Sequence, residues 1–481
     1  MLLWFRNDLR THDNPALHYF LNQAVDKKFS KAVFFVSEKQ WRQHHWSDIK
    51  IDFVLRHAHQ LVAELNNIGI ELDIIHLDSF AQQQEYIKQY CRQHKVQQVV
   101  ANAELEYNEQ QRDKALIESG VNLTLFECDV IVPKGKLLTK SATMFKVFTP
   151  FKRAWLEYVL VNGFEYLGKA QNHVRAKLIP RADSNINNLS DFKAGCSKSW
   201  PLAVKFEQEV LANFIKNKHV HYKENRDIPS IKGTSGISPY LAAGVISPRY
   251  VLRQLLTHWP DLLTATDSDN FSWLNEIIWR EFYRHLLFHQ PALSRHQCFK
   301  AKYQHAQWHN DLDNFEAWKQ GRTGYPIIDA AMRQLKATGW MHNRLRMLAA
   351  SFLTKHLLID WRWGEQYFMQ QLIDGDLAAN NGGWQWSAST GCDAQPYFRI
   401  FNPIRQSEKF DPNGNFIRMY LPELANIGAK DIHFPHKYLQ AHKLDIYCQP
   451  IVDHASARTK ALAFYKSIES KEKQAHEFTI K

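Results

Sequence analysis

The chain of 481 residues lacks any run approaching the roughly 18 apolar residues of a helical membrane span, so no membrane-embedded protein of that kind is expected. Cysteine is scarce and scattered: Cys91, Cys128, Cys196, Cys298, Cys392 and Cys448 form no Cys-x-x-Cys pair. No disulfide framework or metal site is therefore predicted, and a reducing cytoplasm fits. Charge arrives at Arg6 with no basic region ahead of a long apolar stretch, which argues against a signal peptide. A Gly-x-Gly-x-x-Gly loop is missing as well. The segment after the first apolar run reads Arg6-Asn-Asp-Leu-Arg10, so a nucleotide-like ligand there would have to be held differently. Acidic residues are outnumbered, 49 against 60 lysines and arginines, giving a formal net charge of +11. That imbalance predicts a positive surface and favours an anionic partner without naming it.

A hydrophobic content of 45% is ordinary for a globular protein, and the length amounts to roughly three domain-lengths. Five short apolar runs, Leu2–Phe5, Ala32–Val36, Leu72–Ile75, Gln98–Ala101 and Leu123–Phe126, alternate with amphipathic stretches of helical length. Alternating strands and helices predict a doubly wound parallel sheet. In Thr11-His-Asp-Asn-Pro15, Asn14 is the expected helix cap and Pro15 the first helical residue. From about Pro133 to Pro201 the periodicity weakens and turn-formers collect, as in Arg181–Asn188, which reads as a long connection. Beyond it, Phe271–Phe288, Ile327–Thr338, Trp340–Ile359 and Trp363–Ile373 carry helical spacing. The expected organisation is an α/β domain over 1–132, a linker over 133–200 and an all-α domain over 201–481.

Nine of the fifteen tryptophans fall between Trp273 and Trp386, interleaved with Glu276, Arg280, Asn343, Arg346, Asp374, Asp376 and Asn380. Indoles stack on flat rings and are easily oxidised, so the mixture suits an aromatic ligand, an aromatic substrate or electron transfer. Gly233-Thr-Ser-Gly-Ile-Ser-Pro-Tyr240 joins hydroxyls to a helix start, with Ser238 as expected cap and Pro239 at the first position, a seat for phosphate. Trp273, Glu276 and Arg280 share a helix face with Trp279 one turn from Glu276. Either desolvation raises the pKa of this carboxyl group or it pairs with Arg280 in water. Trp340, Asn343, Arg344 and Met347 share a face of the next long helix.

Asp374-Gly-Asp-Leu-Ala-Ala-Asn-Asn-Gly-Gly-Trp-Gln-Trp386 and the following Ser387–Pro403 stand together with Trp340-Met-His-Asn-Arg-Leu-Arg346, Trp279-Arg-Glu-Phe-Tyr283, Thr323-Gly-Tyr-Pro326 and Trp4–Arg10. With these motifs the chain resembles the photolyase/cryptochrome family over essentially its whole length, most closely the class I photolyases of cyclobutane pyrimidine dimers. The resemblance implies an antenna-binding α/β domain before a helical domain holding FAD. It implies that Tyr222, Thr234, Ser235 and Ser238 hold the FAD tail and diphosphate, while Trp273, Arg280, Asn343, Arg346, Asp374, Asp376 and Asn380 surround the rest, with Asn380 opposite flavin N5. Glu276, Trp279, Asn343, Met347 and Trp386 are the implied lining for a dimer flipped out of UV-damaged DNA. Arg226, Arg344 and Arg399 are the implied phosphate contacts, and Trp384, Trp361 and Trp308 the implied electron chain, with Trp308 at an exposed end.

His44, Asn108 and Glu109 match positions that hold a methenyltetrahydrofolate antenna, while Ser294 and Arg295 stand where folate-type members can carry cysteine and lysine. A deazaflavin or an empty site is the alternative. Three activities are separable. Cryptochromes often extend further and many carry aspartate or cysteine at Asn380, and enzymes of the pyrimidine–pyrimidone photoproduct carry histidines at Asn343 and Met347. A DASH-type cryptochrome would alter Met347 and Trp386. The residues present favour repair of cyclobutane dimers by a monomer, with no membrane partner. Without the resemblance, the residues support a basic two-domain protein binding an aromatic anion, either an NADPH-type flavoenzyme or a nucleic-acid binder.

Overall fold

The computed structural model describes residues 1–23, 31–171 and 195–479. The turn-rich run 181–188 lies outside the described residues. Five parallel strands form one sheet: β1 (Leu2–Phe5), β2 (Lys31–Val36), β3 (Leu72–His76), β4 (Val99–Asn102) and β5 (Leu123–Phe126), in the order β3-β2-β1-β4-β5. Leu2 is in register with both Lys31 and Val99. All four residues of β1 and of β4 are buried, as expected for strands covered on both faces. Each of the five predicted strands is present within one residue of its expected bounds.

The sheet's helices are α1 (Pro15–Gln23), α2 (Asp48–Asn66), α3 (Phe80–Gln93) and α4 (Tyr107–Glu118). Asn14 Oδ1 accepts from Leu17 N at 3.1 Å, the expected cap ahead of Pro15. The order reverses between β1 and β4, the switch point where such sheets bind ligands. Here the loop is held by its own side chains. Asp8 accepts from Arg6 N at 2.6 Å, and Arg6 makes a two-pronged pair with Asp113 at 2.7 and 2.8 Å, both groups buried.

The stretch expected to be a plain connection contains α5 (Phe148–Asn162), anchored by the fully buried Trp155. Its apolar residues at helical spacing were diluted by flanking turn-formers. Next come α6 (Ser238–Ala242), α7 (Pro248–His258) and α8 (Phe271–His289). Gly244 has a φ of +64°, and a Cβ there would lie 1.8 Å from the carbonyl oxygen of Asn7, so only glycine fits.

By packing, the described chain divides into two compact units. The first holds residues 1–220, 235–294 and 373–378, and thus the sheet and α1–α8. The second holds 221–234, 295–372 and 379–481 and is helical. Its main elements are α9 (Pro326–Thr338), α10 (Asn343–Ser351), α11 (Trp361–Gln371), α12 (Leu377–Ser387) and α13 (His454–Thr479). The predicted helix over 340–359 starts only at Asn343, because His342 caps it by accepting from Arg344 N at 3.2 Å. It then widens into a π-turn over Phe352–His356. The helix predicted from Trp363 begins two residues earlier behind the Asp360 cap. No described helix is long and apolar enough to cross a membrane.

Candidate functional site

Helix α8 brings a charged cluster into the first unit. Trp273 is buried against Phe214 and His219, with ring centroids 4.8 and 5.9 Å away. Trp279 stacks on Phe148 at 3.7 Å, and Glu276 between the two indoles is half-buried. Arg280 donates to the carbonyl of Asp129 at 2.7 Å, and burial together with the neighbouring Arg284 lowers its pKa to about 10. One turn on, Arg284 pairs with Asp129 at 2.6 Å and with Asp376. Burial works against its charge, but the two carboxylates hold it well above the ordinary arginine value.

Arg284 was missed in the sequence, though it lies four residues beyond Arg280 on the same face. So was Glu281, whose fully buried carboxyl accepts from Ile131 N, from Val132 N at 3.2 Å and from Trp155 Nε1 at 2.7 Å.

Asp374 is buried and accepts from the Ser238 hydroxyl at 2.6 Å. Ser238 is therefore not the cap of α6 that its Ser-Pro pattern suggested: Ile237 is the cap residue, Ser238 opens the helix, and its hydroxyl is spent on Asp374. Lys50, also unforeseen, donates to the carbonyl of Gly375 at 2.7 Å and lies 3.7 Å over the ring of Trp46. Burial lowers its pKa to about 8. Ser235 is buried in this unit as well.

In the second unit, Asn343 Nδ2 lies 3.9 Å from Met347 Sδ, so the predicted shared face of α10 exists. Arg346 Nε donates to Met341 O at 2.8 Å. Tyr222 is buried with the Arg226 guanidinium 5.5 Å over its ring, Thr234 is half-buried, and Arg344 pairs with Asp227 at 2.8 Å. Arg399 is exposed and Trp386 half-buried. Asn380 Nδ2 donates to the backbone carbonyl of Glu365 at 3.0 Å.

Trp308, Trp361 and Trp384 belong to one apolar core. Trp308 is only 9% exposed, packed on Phe464 at 5.0 Å and edge-on to Tyr465 at 6.3 Å, rather than at an exposed end. The polar run around it suggested exposure, but α13 covers the ring, a contact that local sequence does not carry.

The antenna candidates of the first unit come together. His44 Nδ1 lies 3.2 Å from Glu109 Oε1, and Asn108 Nδ2 lies 3.1 Å from His44 Nε2. Ser294 Oγ accepts from Tyr107 N at 3.3 Å. Arg295 belongs to the second unit. Although burial opposes it, the Glu109 carboxylate raises the pKa of His44. A cleft lined by His44 and Glu109 also takes in Phe34, Trp41, Trp46, Phe80 and Arg112, with Arg6 and Asn7 of the loop after β1. Trp41 and Trp46 stack at 5.0 Å within it.

The model of the family described as DNA photolyase matches residues 1–169, and that of the FAD binding domain of DNA photolyase matches 273–467. A deoxyribodipyrimidine photo-lyase of Escherichia coli is 43% identical over 469 residues, 97% of this chain and 98% of that protein. The chain belongs to the DNA photolyase family. Among solved structures, a class III photolyase of Agrobacterium tumefaciens has a TM-score of 0.82 at 34% identity, covering 98% of this chain and 97% of that one. A Synechocystis cryptochrome has a TM-score of 0.80 at 25% identity, covering 96% and 98%. The fold is thus that of photolyases and cryptochromes alike.

The match to the family's FAD-binding domain takes in Trp273, Arg280, Asn343, Arg346, Asp374, Asp376 and Asn380, while Tyr222, Thr234, Ser235 and Ser238 lie ahead of it. The Asn380 amide, tied through its nitrogen, leaves its oxygen as the acceptor it can offer. A Cβ on Gly383, one turn along α12, would meet nothing within 4 Å, so that face borders open space. Arg280, charged but disfavoured by burial, gains from a nearby anion such as a diphosphate.

Proposed function

We propose that the chain is a light-driven repair enzyme for cyclobutane pyrimidine dimers in UV-damaged DNA, a deoxyribodipyrimidine photo-lyase. The observation that carries this reading is the near full-length likeness to an enzyme of that name, and the motifs holding Glu276, Asn343, Met347 and Trp386 resemble those that line the dimer pocket in the family. When bound, reduced FAD supplies on excitation by blue light the electron that opens the cyclobutane ring and recovers it afterwards.

The chain's own residues bind, orient and exclude water. Tyr222, Thr234, Ser235 and Ser238 hold the cofactor's tail and diphosphate, while Trp273, Arg280, Asn343, Arg346, Asp374, Asp376 and Asn380 surround the rest. The Ser238–Asp374 bond and the Lys50 clamp on Gly375 fix the 374–376 loop. Trp279 and Trp386 clamp the flipped pyrimidines, and Asn343 and Met347 line the pocket beside them. Glu276 hydrogen-bonds a base carbonyl where charge develops. Arg226, Arg344 and Arg399 meet backbone phosphates, and the Arg344–Asp227 pair presets one of these guanidinium groups. Trp308, Trp361 and Trp384 pass electrons to oxidised flavin.

For the antenna, methenyltetrahydrofolate at His44, Asn108, Glu109, Ser294 and Arg295 is favoured over a deazaflavin. The support is that His44, Asn108 and Glu109 stand together, with His44 Nδ1 3.2 Å from Glu109 Oε1 and Asn108 Nδ2 3.1 Å from His44 Nε2. The reading takes the protein as a cytoplasmic monomer with an antenna domain over 1–132, a linker over 133–200 and a catalytic domain over 201–481. All six cysteines are free thiols, as suits a reducing compartment. A purified sample tests the cofactor part: a flavin visible spectrum in FAD-loaded protein, with tighter binding to dimer-containing than to undamaged DNA, supports it. Loading without preference for damaged DNA favours the cryptochrome alternative, and no flavin refutes both.

A further inference from the structure

Next to Asn380 stands a pair of ionisable groups with no part in the proposed reaction. Glu365, on α11, has a side chain only 1% exposed, yet it is hydrogen-bonded at three points. Its backbone carbonyl accepts from Asn380 Nδ2 at 3.0 Å, and its carboxylate accepts from Asn381 Nδ2 at 2.8 Å. Gln385 Nε2 donates to Asn381 Oδ1 at 2.9 Å, which fixes the amide so that its nitrogen faces Glu365. One acidic residue thereby holds both neighbouring amides of α12. The other carboxylate oxygen is 3.0 Å from His296 Nδ1. The His296 side chain is 39% exposed, so the pair runs from solvent to the buried amides.

His296 is held in place deliberately. Its φ is +58°, an uncommon backbone state for a residue with a side chain, and Arg362 Nε donates to its carbonyl at 2.8 Å. Arg362 in turn pairs with Asp360 at 3.0 Å and approaches Cys298 Sγ at 3.4 Å. The charged groups acting on His296 are therefore Glu365, which favours the imidazolium by hydrogen bond and charge, and Arg362, which opposes it while Asp360 offsets Arg362. Burial pushes the Cys298 thiol up, so it stays neutral. The balance raises the pKa of His296, chiefly through the Glu365 hydrogen bond.

We propose that His296 and Glu365 are positioning residues that hold Asn380 and make the reduction potential of bound FAD depend on the charge of the pair. This rests on the reading of Asn380 as the residue facing flavin N5. With His296 protonated the pair is neutral. Once the imidazolium loses its proton to solvent, an uncompensated negative charge remains on the buried Glu365 carboxylate, which is bonded to Asn381 and belongs to the residue whose backbone carbonyl holds Asn380. That charge opposes the arrival of an electron on the neighbouring ring and lowers its potential. No bond to the cofactor forms or breaks.

The test is spectroelectrochemical titration of FAD-loaded protein between about pH 5.5 and about pH 8, on either side of an ordinary histidine pKa. Wild type is compared with Glu365→Gln and His296→Gln, and the His296 titration is followed by NMR with labelled histidine. Glu365→Gln should lie above wild type at both ends, because without the carboxylate the pair is more positive in either state of His296, and its pH step should come at lower pH. His296→Gln should match wild type at the alkaline end and fall below it at the acid end. By NMR, His296 should titrate at lower pH in Glu365→Gln than in wild type.

A merely structural role would leave the His296→Gln curve parallel to that of wild type, and a parallel or coincident His296→Gln curve overturns the proposal. If Glu365→Gln fails to retain FAD, His296→Gln, which leaves both amide bonds intact, carries the decision alone. Absence of FAD from wild type overturns the flavin reading and this proposal with it, whereas bound FAD with a His296→Gln curve parallel to wild type overturns the proposal alone.

Discussion

Glu281 sits where three donors converge, and burial pushes its pKa up to about 7 from the ordinary 4.5. Between those values the folded chain keeps a proton that the unfolded chain has released, so this group's contribution to stability falls as pH rises from about 4.5 to about 7 and then levels off. Urea unfolding should therefore find wild type losing ground to Glu281→Gln across that window, and a difference independent of pH would contradict the assignment. Glu281→Ala strands the donors and should cost on the order of 3 kcal/mol.

Trp308→Phe should block photoreduction of oxidised FAD while leaving repair by already reduced enzyme nearly intact; joint loss would mean that packing against Phe464 is the residue's whole role. Glu276→Ala should lower repair per absorbed photon several-fold with FAD content unchanged, since losing one oxyanion-type partner costs on the order of 3 kcal/mol elsewhere. Damaged-DNA binding should fall less, and an unchanged repair yield would refute the role. Glu276 and Trp308 were legible as residue types in a pattern. Glu281 and Arg284 were not, because their partners Ile131, Trp155 and Asp129 lie more than a hundred residues away in the chain.

At the scale of elements, α11 and α12 are held at close range by a missing side chain. A Cβ on Gly364 would fall 2.1 Å from a ring carbon of Trp384 and 2.7 Å from Leu353. Gly364→Ala must push the indole or the helix aside, a strain of about 1–3 kcal/mol. Lower urea stability together with slower flavin photoreduction is the expected result, and an alanine variant equal to wild type in both would show that the indole moves freely.

The strands were legible because two-sided burial writes continuous apolar runs. Helix edges were less so. The α10 start depends on the His342 cap, and the π-turn at Phe352–His356 leaves no mark in hydrophobic spacing. The Ser238 cap failed because the hydroxyl's partner, Asp374, is supplied by a loop 136 residues away.

For the molecule as a whole, the order of strands and helices was readable, but the division into packed units was not, since residues 235–294 and 373–378 join the sheet's unit across long intervals of chain. Such long-range assembly is not encoded in local periodicity. The net charge of +11 suits a partner with a phosphate backbone, which supplies affinity without chemistry. What separates a repair enzyme from a light receptor of the same fold is turnover on the lesion. The decisive measurement is the loss of cyclobutane dimers from UV-irradiated DNA incubated with FAD-loaded, reduced protein under blue light and in matched darkness. Dimers should disappear in the light with pyrimidines restored, and persist in the dark. Equal loss in both, or loss in neither, would contradict the account.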